Sequence, residues 1–365
     1  MPTNLMNPPA SRGQWAAASG YLLILLLPAL LVVGAWLNVP VLTFATVLLV
    51  FPLARAVFGG ARPQPATLWS KGVATFLHRL PVAYAGFLWL ALVVFLLGLA
   101  LRPPTSALNA LGAGLSLWAT LLFATGVAHD LIHRRDRRDA KVGSFIAALA
   151  GYPLFAFEHL SHHARAGDTE LAEWPRVDES VWGFALRRVR RIASAIAAQP
   201  AEFGTGTGTG TGTSAEYRNS ASVRHSAYAA AAVTLATWAA FTVVAGSTGF
   251  FVYGGAIAGV TFAMQLSTYL QHWGLGDDSV ADAANKHFAW EGDCLFQSWT
   301  TLNLSFRHAH HRASREPYYR IGIAPDSPRL PAGYVVLMFV CFVPPLWRKV
   351  MLPVLAQWKS QARPL

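Results

Sequence analysis

A chain of 365 residues in which 54% are hydrophobic and only 13% charged departs from soluble proteins, where about a quarter of residues carry charge. Its two cysteines, Cys294 and Cys341, with no CxxC pair, exclude a disulfide framework, a cysteine-held zinc and an iron–sulfur centre. The net charge of +11 does not call for nucleic acid, because anionic headgroups and the positive-inside bias account for it.

The apolar residues come in long runs almost free of charge: Trp15–Leu37, Val39–Leu53, Pro81–Leu101, Ala107–Ala128, Ser226–Ala245 and Gly249–Leu270. A spanning helix needs about 20 such residues, with about 17 as a lower limit. Val39–Leu53 reaches that length only by extending through Arg55 to Phe58, with the arginine snorkelling to the interface. Residues 1–14 hold one basic residue and no cleavage pattern, so Trp15–Leu37 reads as a retained helix. The expected fold is an all-α integral membrane protein with six transmembrane helices in three hairpins and a cytoplasmic histidine-rich cap.

Membrane hairpins fill residues 1–128, and a polar segment follows over 129–225. Inside it, Ser144–Phe157 is too short to span and is broken by Gly151 and Pro153, which predicts a half-inserted or interfacial helix. Gly204–Thr213 alternates glycine and threonine and reads as a flexible linker without chemistry. The hairpin over 226–271 leads into the C-terminal cap, 272–365. There Tyr334–Trp347 is interrupted by Pro344–Pro345, which favours a surface or buried element over a seventh span. The outer turns near Asn38 and Ser247 lack Lys and Arg, and the third holds only Arg102, so 28 of the 29 basic residues (29 minus Arg102) lie elsewhere. Both termini are therefore expected in the cytoplasm, the membrane being a bacterial inner membrane.

Nine of the twelve histidines fall into four groups: His129 and His133 in HDLIH; His159, His162 and His163 in EHLSHH; His272 in LQHWGL; and His308, His310 and His311 in RHAHH. All lie at the inner end of a predicted helix or beside it. On a helix His129 and His133 share a face, as do His159, His162 and His163, and as do His308 and His311. His310 points away from that last pair on an ideal helix, so either the backbone is irregular or His310 is not a ligand. Burying so many imidazoles without a common partner costs about 1–3 kcal/mol each, and a shared metal cluster supplies one. Imidazole suits iron, zinc, copper and nickel. Zinc usually takes four ligands, so nine fit two metals better than one. HDLIH lacks the glutamate of an HExxH zinc protease, a haem needs mid-helix ligands on facing helices, and a soluble-type di-iron site uses Glu-x-x-His pairs.

These four boxes resemble those of the membrane fatty acid desaturase/hydroxylase superfamily, most closely its alkane 1-monooxygenase branch. HDLIHR is similar to the first box, EHLSHHARAGDTE to the second, LQHWGL to the single-histidine box, and RHAHHRA with Tyr318–Tyr319 and PRLPAGY to the last box and tail. The first box has Asp130 where the family usually has glutamate. The second and fourth are each one residue shorter before the HH pair than in alkane monooxygenases. The resemblance implies two non-haem irons held by the nine histidines, O2 activation, and attack on an unactivated C–H bond. Asp130, Glu158 and Asp168 are candidates to accept hydrogen bonds from the ligands' second ring nitrogens. No flavin fingerprint is present, so a separate donor is implied, a rubredoxin or ferredoxin, with Arg187–Arg191 as a docking face or a headgroup site. The substrate is a hydrophobic chain. The same boxes also serve desaturation, ring-methyl hydroxylation or decarboxylation of a fatty acid to a terminal alkene. A non-catalytic metal transporter would instead show carboxylate or sulfur ligands along a mid-membrane path.

Overall fold

The computed structural model describes residues 11–61, 69–164, 168–169, 173–197, 220–276, 289–325 and 327–361. The Gly204–Thr213 linker and His287 lie outside them. Among the described residues the regular structure is helical, apart from two isolated β-bridges, Gly60 to Cys294 and Glu291 to Arg329.

The chain opens with α1 (Arg12–Trp36), α2 (Leu42–Phe58), α3 (Lys71–Leu101) and α4 (Ala107–Ile132). Three smaller helices follow: α5 (Arg137–Leu149), α6 (Phe155–Ala164) and α7 (Val181–Ala197). Then come the long α8 (Ser220–His272), the short α9 (Leu295–Thr300) and α10 (Arg307–Arg312), and finally α11 (Tyr334–Cys341) and α12 (Pro344–Gln361). Four stretches are long and apolar enough to cross a membrane: α1, α3, α4 and residues Ser226–His272 of α8. Helix α2, at 17 residues, is shorter. Leu53, Val57, Leu108 and Val243 are 66%, 75%, 75% and 83% exposed, an arrangement that lipid tolerates and water does not.

Helix α8 is not one rod. Gly246 leaves the helical region at φ 61° and ψ −146°, a conformation open chiefly to glycine. Across it, Trp238 donates from Nε1 to the Phe250 carbonyl at 3.1 Å, and Phe241 stacks on Tyr253 at 4.9 Å. Residues twelve apart on a straight helix lie about 18 Å apart, so the chain doubles back into two limbs. The sequence boundary between Ala245 and Gly249 falls at that turn.

Helix boundaries differ from the apolar runs in informative ways. Ser70 caps α3 by accepting from the Val73 N–H, so the helix begins ten residues before Pro81 and carries that proline inside it. Proline removes one ladder bond, which neighbouring groups in a bundle tolerate. Helix α4, capped by Ser106, continues past Ala128 through the first histidine box.

Within Ser144–Phe157 the chain packs largely inside the helix bundle. Ile146, Ala147, Ala148 and Leu149 are buried, and Gly143 lets α5 lie directly on α4: a Cβ there would sit 2.8 Å from Leu131 Cβ and 2.9 Å from the Ala128 carbonyl. The carbonyls left over at the end of α5 accept from α8, Ala148 from Thr234 at 2.7 Å and Leu149 from Tyr253 at 2.9 Å. Tyr334–Trp347 forms two helices, with Pro344 opening the second, the position where a missing N–H costs least. Its Tyr334, Leu337, Cys341 and Trp347 are buried.

Candidate metal centre

Four elements bring the histidines to one place. His129 sits on the last turn of α4 and His133 caps it. His159, His162 and His163 lie on α6, His272 ends α8, and His308, His310 and His311 lie on α10. They form two groups whose ring nitrogens lie within 4.8 Å of one another: His129, His133, His159, His163 and His310 in the first, and His162, His272 and His311 in the second. In the first, Nε2 of His159 lies 2.8 Å from that of His133 and 3.0 Å from that of His163, which is 3.1 Å from Nε2 of His310. In the second, His162 and His272 approach to 3.1 Å. His308, 1% exposed, is on the same short helix but outside both groups.

Two expectations change here. His159, His162 and His163 do not face a single point: His159 and His163 join the first group and His162 the second. His310 does point away from His311, and the direction it takes is into the other group. The backbone need not be irregular, since Arg307–Arg312 is assigned helical throughout. Successive residues on a helix diverge by about 100°, so one short helix reaches two sites.

Burial sets the protonation. It pushes His159, His163, His310 and His311 well below the ordinary imidazole range, with neighbouring histidines and Arg307 acting in the same direction. His133 is lowered to about 3, and His162 to about 4 although Glu173 pulls it upward. These imidazoles are neutral at pH 7, the state that offers a lone pair to a metal. Among the described residues neither ring nitrogen of His311 has a hydrogen-bond partner. Buried neutral imidazoles gathered nose to nose fit a pair of metal ions. The all-imidazole set suits iron, zinc, copper or nickel.

Two of the surrounding carboxylates, Asp130 and Glu158, are arranged otherwise than the sequence led us to expect. Asp130 accepts from Arg134 at 2.7 and 3.0 Å and from the Tyr318 N–H at 3.2 Å. Glu158 accepts from Tyr152 and, at 2.8 and 2.7 Å, from Arg188. Both carboxylates thus turn to arginines. Asp168 offers its carbonyl to the N–H groups of Glu173 and Trp174. Glu173 lies beside a grouped imidazole, its Oε2 3.6 Å from Nδ1 of His162 and 3.1 Å from Arg188. Burial works against the Arg188 charge, but Glu158 and Glu173 outweigh it and raise its pKa. Trp174 stacks on His272 at 4.5 Å. Glu173, Trp174 and Arg188 were not legible as site residues. Arg188 lay within a basic run, and that run splits: Arg187 turns to Glu179 at 2.7 Å, Arg188 goes inward, and Arg190 stays exposed. Glu291, fully buried, holds α10 by accepting from the Ala309 N–H at 3.3 Å.

A cavity of about 190 Å³ meets the imidazoles at His129, His159 and His162. Its walls are mostly apolar, among them Phe44, Trp118, Phe123 and Phe155, and it reaches Leu48 and Phe339, which are 38% and 50% exposed. That is room for a chain rather than for a water or two.

Comparison with known proteins agrees with this site. The fatty acid desaturase family profile matches residues 104–340, which hold all nine grouped histidines. Alkane 1-monooxygenase 1 of Pseudomonas aeruginosa is 27% identical over 255 residues, 67% of this chain and 64% of the relative. Alkane 1-monooxygenase 2 of Alcanivorax borkumensis is 22% identical over 286 residues, 76% of this chain and 72% of the relative. For alkane 1-monooxygenase of Acinetobacter baylyi the figures are 23% over 256 residues, 68% and 60%. The chain thus spans less than two thirds of the first and third of these relatives.

Proposed function

The chain belongs to the fatty acid desaturase family, and from that premise we propose that it is a membrane-bound non-haem di-iron monooxygenase acting on a terminal or other unactivated C–H bond of an alkane-like chain. The observation that carries this reading is the meeting of two buried imidazole groups with an apolar cavity that reaches lipid-facing residues. Iron in such a site supplies O2 activation, with electrons from a separate rubredoxin or ferredoxin. The first group, His129, His133, His159, His163 and His310, holds one ion. His162, His272 and His311 would hold the other, with His308 of the same short helix as a further ligand.

The rest is done by the protein's own groups. Glu173 orients the His162 ring and Trp174 fixes the plane of His272, which sets the nitrogen each presents. Phe44, Trp118, Phe123 and Phe155 hold the chain against the imidazoles and keep water out. The chain crosses a bacterial inner membrane six times, α2 included, with termini, cap and imidazoles in the cytoplasm. Arg190 on α7 belongs to the face that meets an acidic donor. Mass spectrometry of products from cells expressing the protein with a donor system, fed alkanes, fatty acids or alkylbenzenes, tests the reading. A terminal alcohol from an alkane supports it. Consumption of fatty acid alone, with no oxidised alkane or alkylbenzene, contradicts it.

A further inference from the structure

Helix α7 divides its residues among three sides. Val181, Phe184, Ala185 and Arg188 are buried against the body of the protein. Trp182, Leu186 and Val189, spaced i, i+4 and i+7 so that they share a face, are 50%, 52% and 41% exposed. The third side carries Arg190, Arg191 and Ser194, and no Asp or Glu occurs between Val181 and Ala197. Side chains advance by about 100° per residue, which sets each side about a third of a turn from the next. A helix bathed in water needs one apolar face, turned inward. Helix α7 has a second.

Its neighbours fix the depth at which that second face lies. Trp182 stacks on Phe262 of α8 and on Phe342, each at 5.4 Å, and donates from Nε1 to the Phe342 carbonyl at 3.1 Å. The limb of α8 from Gly246 to His272 advances 26 residues (272 − 246), about 39 Å, against a hydrocarbon core of about 30 Å. Its last turns therefore emerge on the imidazole side. Phe262 lies ten residues (272 − 262) before that end, about 15 Å along the axis, which puts Trp182 at the edge of the core. Tryptophan is enriched at that level. Exposed Phe339, Val343 and Leu346 carry apolar surface on from Phe342. Arg348, whose Nη2 donates to the Asp178 carbonyl at 2.8 Å, ties the start of α7 to them. The stripe thus continues a lipid-facing surface.

We propose that α7 lies in the bilayer interface on the imidazole side, with Trp182, Leu186 and Val189 seated among lipid chains and Arg190 and Arg191 turned to water. An acidic donor suits the arginine side; three large apolar side chains in line with lipid-facing surface suit lipid. The inner side of the same helix holds Glu158 and Glu173 through Arg188, so the membrane surface supports the element that braces the imidazoles. Phe262 and Phe342 line the cavity, so Trp182 also backs the wall of its lipid-side mouth. This contact holds whatever reaction the imidazoles support.

Nitroxide labels on Val189→Cys and Ser194→Cys test it, in iron-loaded protein held in nanodiscs of phosphatidylcholine and phosphatidylglycerol. The two positions lie five residues apart, about 140° round the helix. Cys294 and Cys341 are buried, and the parent protein treated alike serves as the blank. Power-saturation EPR reads collision with O2, which concentrates in lipid, and with a neutral nickel chelate, which stays in water. The ratio of O2 to chelate collision should be several-fold higher at Val189 than at Ser194, and Leu186→Cys serves where Val189→Cys does not fold. As a second measurement, Leu186→Glu should lower the melting midpoint in nanodiscs, because it moves a charge into lipid, whereas a surface site in water tolerates it. Equal or reversed ratios overturn the proposal, as does an unchanged midpoint in Leu186→Glu. A Val189 label shielded from both O2 and chelate also overturns it, marking burial within protein. Chelate access at Val189 that is lost only when reduced rubredoxin is added overturns it too, and makes the stripe a docking surface for the donor.

Discussion

His310 and His311 are neighbours in the chain and belong to different imidazole groups, His310 lying 3.1 Å from His163 in one and His311 packing against His272 at 4.9 Å in the other. A helix of six residues can do this because adjacent side chains diverge by about 100°. Helix α6 repeats the device, with His163 in the first group and His162 in the second.

Substitutions on α10 should therefore be distinguishable by the ion they release. His310→Ala removes one of five first-group nitrogens and His311→Ala one of three in the second. His311→Ala should lose close to one iron per chain, His310→Ala less. His308→Ala should resemble His311→Ala, as a ligand of the second ion. Iron content and Mössbauer spectra of the purified variants check this. Full iron in His308→Ala would remove it from the ligand set.

Arg188 should be a large stabilising residue despite lying in a basic surface run. It is 4% exposed and is the shared partner of Glu158 and Glu173. Arg188→Met leaves both carboxylates buried and uncompensated, a loss on the order of 3–5 kcal/mol, read as a lowered melting temperature. Adding Glu158→Gln and Glu173→Gln should recover part of it. A melting temperature equal to the parent's in Arg188→Met would show that the three groups are not coupled.

Gly143→Ala should destabilise by about 1–3 kcal/mol, since the new methyl would press on the Ala128 carbonyl, which cannot move freely. Thermal unfolding of the variant decides it, an unchanged or raised midpoint speaking against the close α4–α5 contact.

The metal-free protein should lose stability as pH falls from 6.5 toward 4. His162 has its pKa lowered by burial to about 4 against an ordinary 6.5, so between these values the unfolded chain binds the proton and the folded chain does not. Stability then rises with pH across the window. Melting curves of metal-free protein in buffers spanning it check the sign. A flat profile would mean that these imidazoles are not enclosed.

Much of this was legible in the residues. Apolar runs mark segments by composition alone, and the break between Ala245 and Gly249 appears as the Gly246 reversal. Histidine spacing likewise pointed to the eight imidazoles of the two groups, His308 lying beside them, because i+4 pairs such as His129 and His133 meet locally. What spacing does not encode is which ion each ring faces. His162 and His163 are separated by the direction in which α6 meets α8 and α10, a tertiary fact. The same limit hid Glu173 and Arg188, whose roles come from pairs 15 residues apart on separate segments, and it hid that Asp130 pairs with Arg134 and Glu158 with Arg188 and Tyr152. That Ser144–Phe157 packs against other helices was likewise hidden, because an apolar stretch too short to span reads alike at an interface and within a bundle.

Elemental analysis of protein purified from iron-replete cells tests the central claim most directly. Eight imidazole nitrogens in two groups, with His308 beside them, should hold about two irons per chain. A reproducible single zinc with no iron would contradict it.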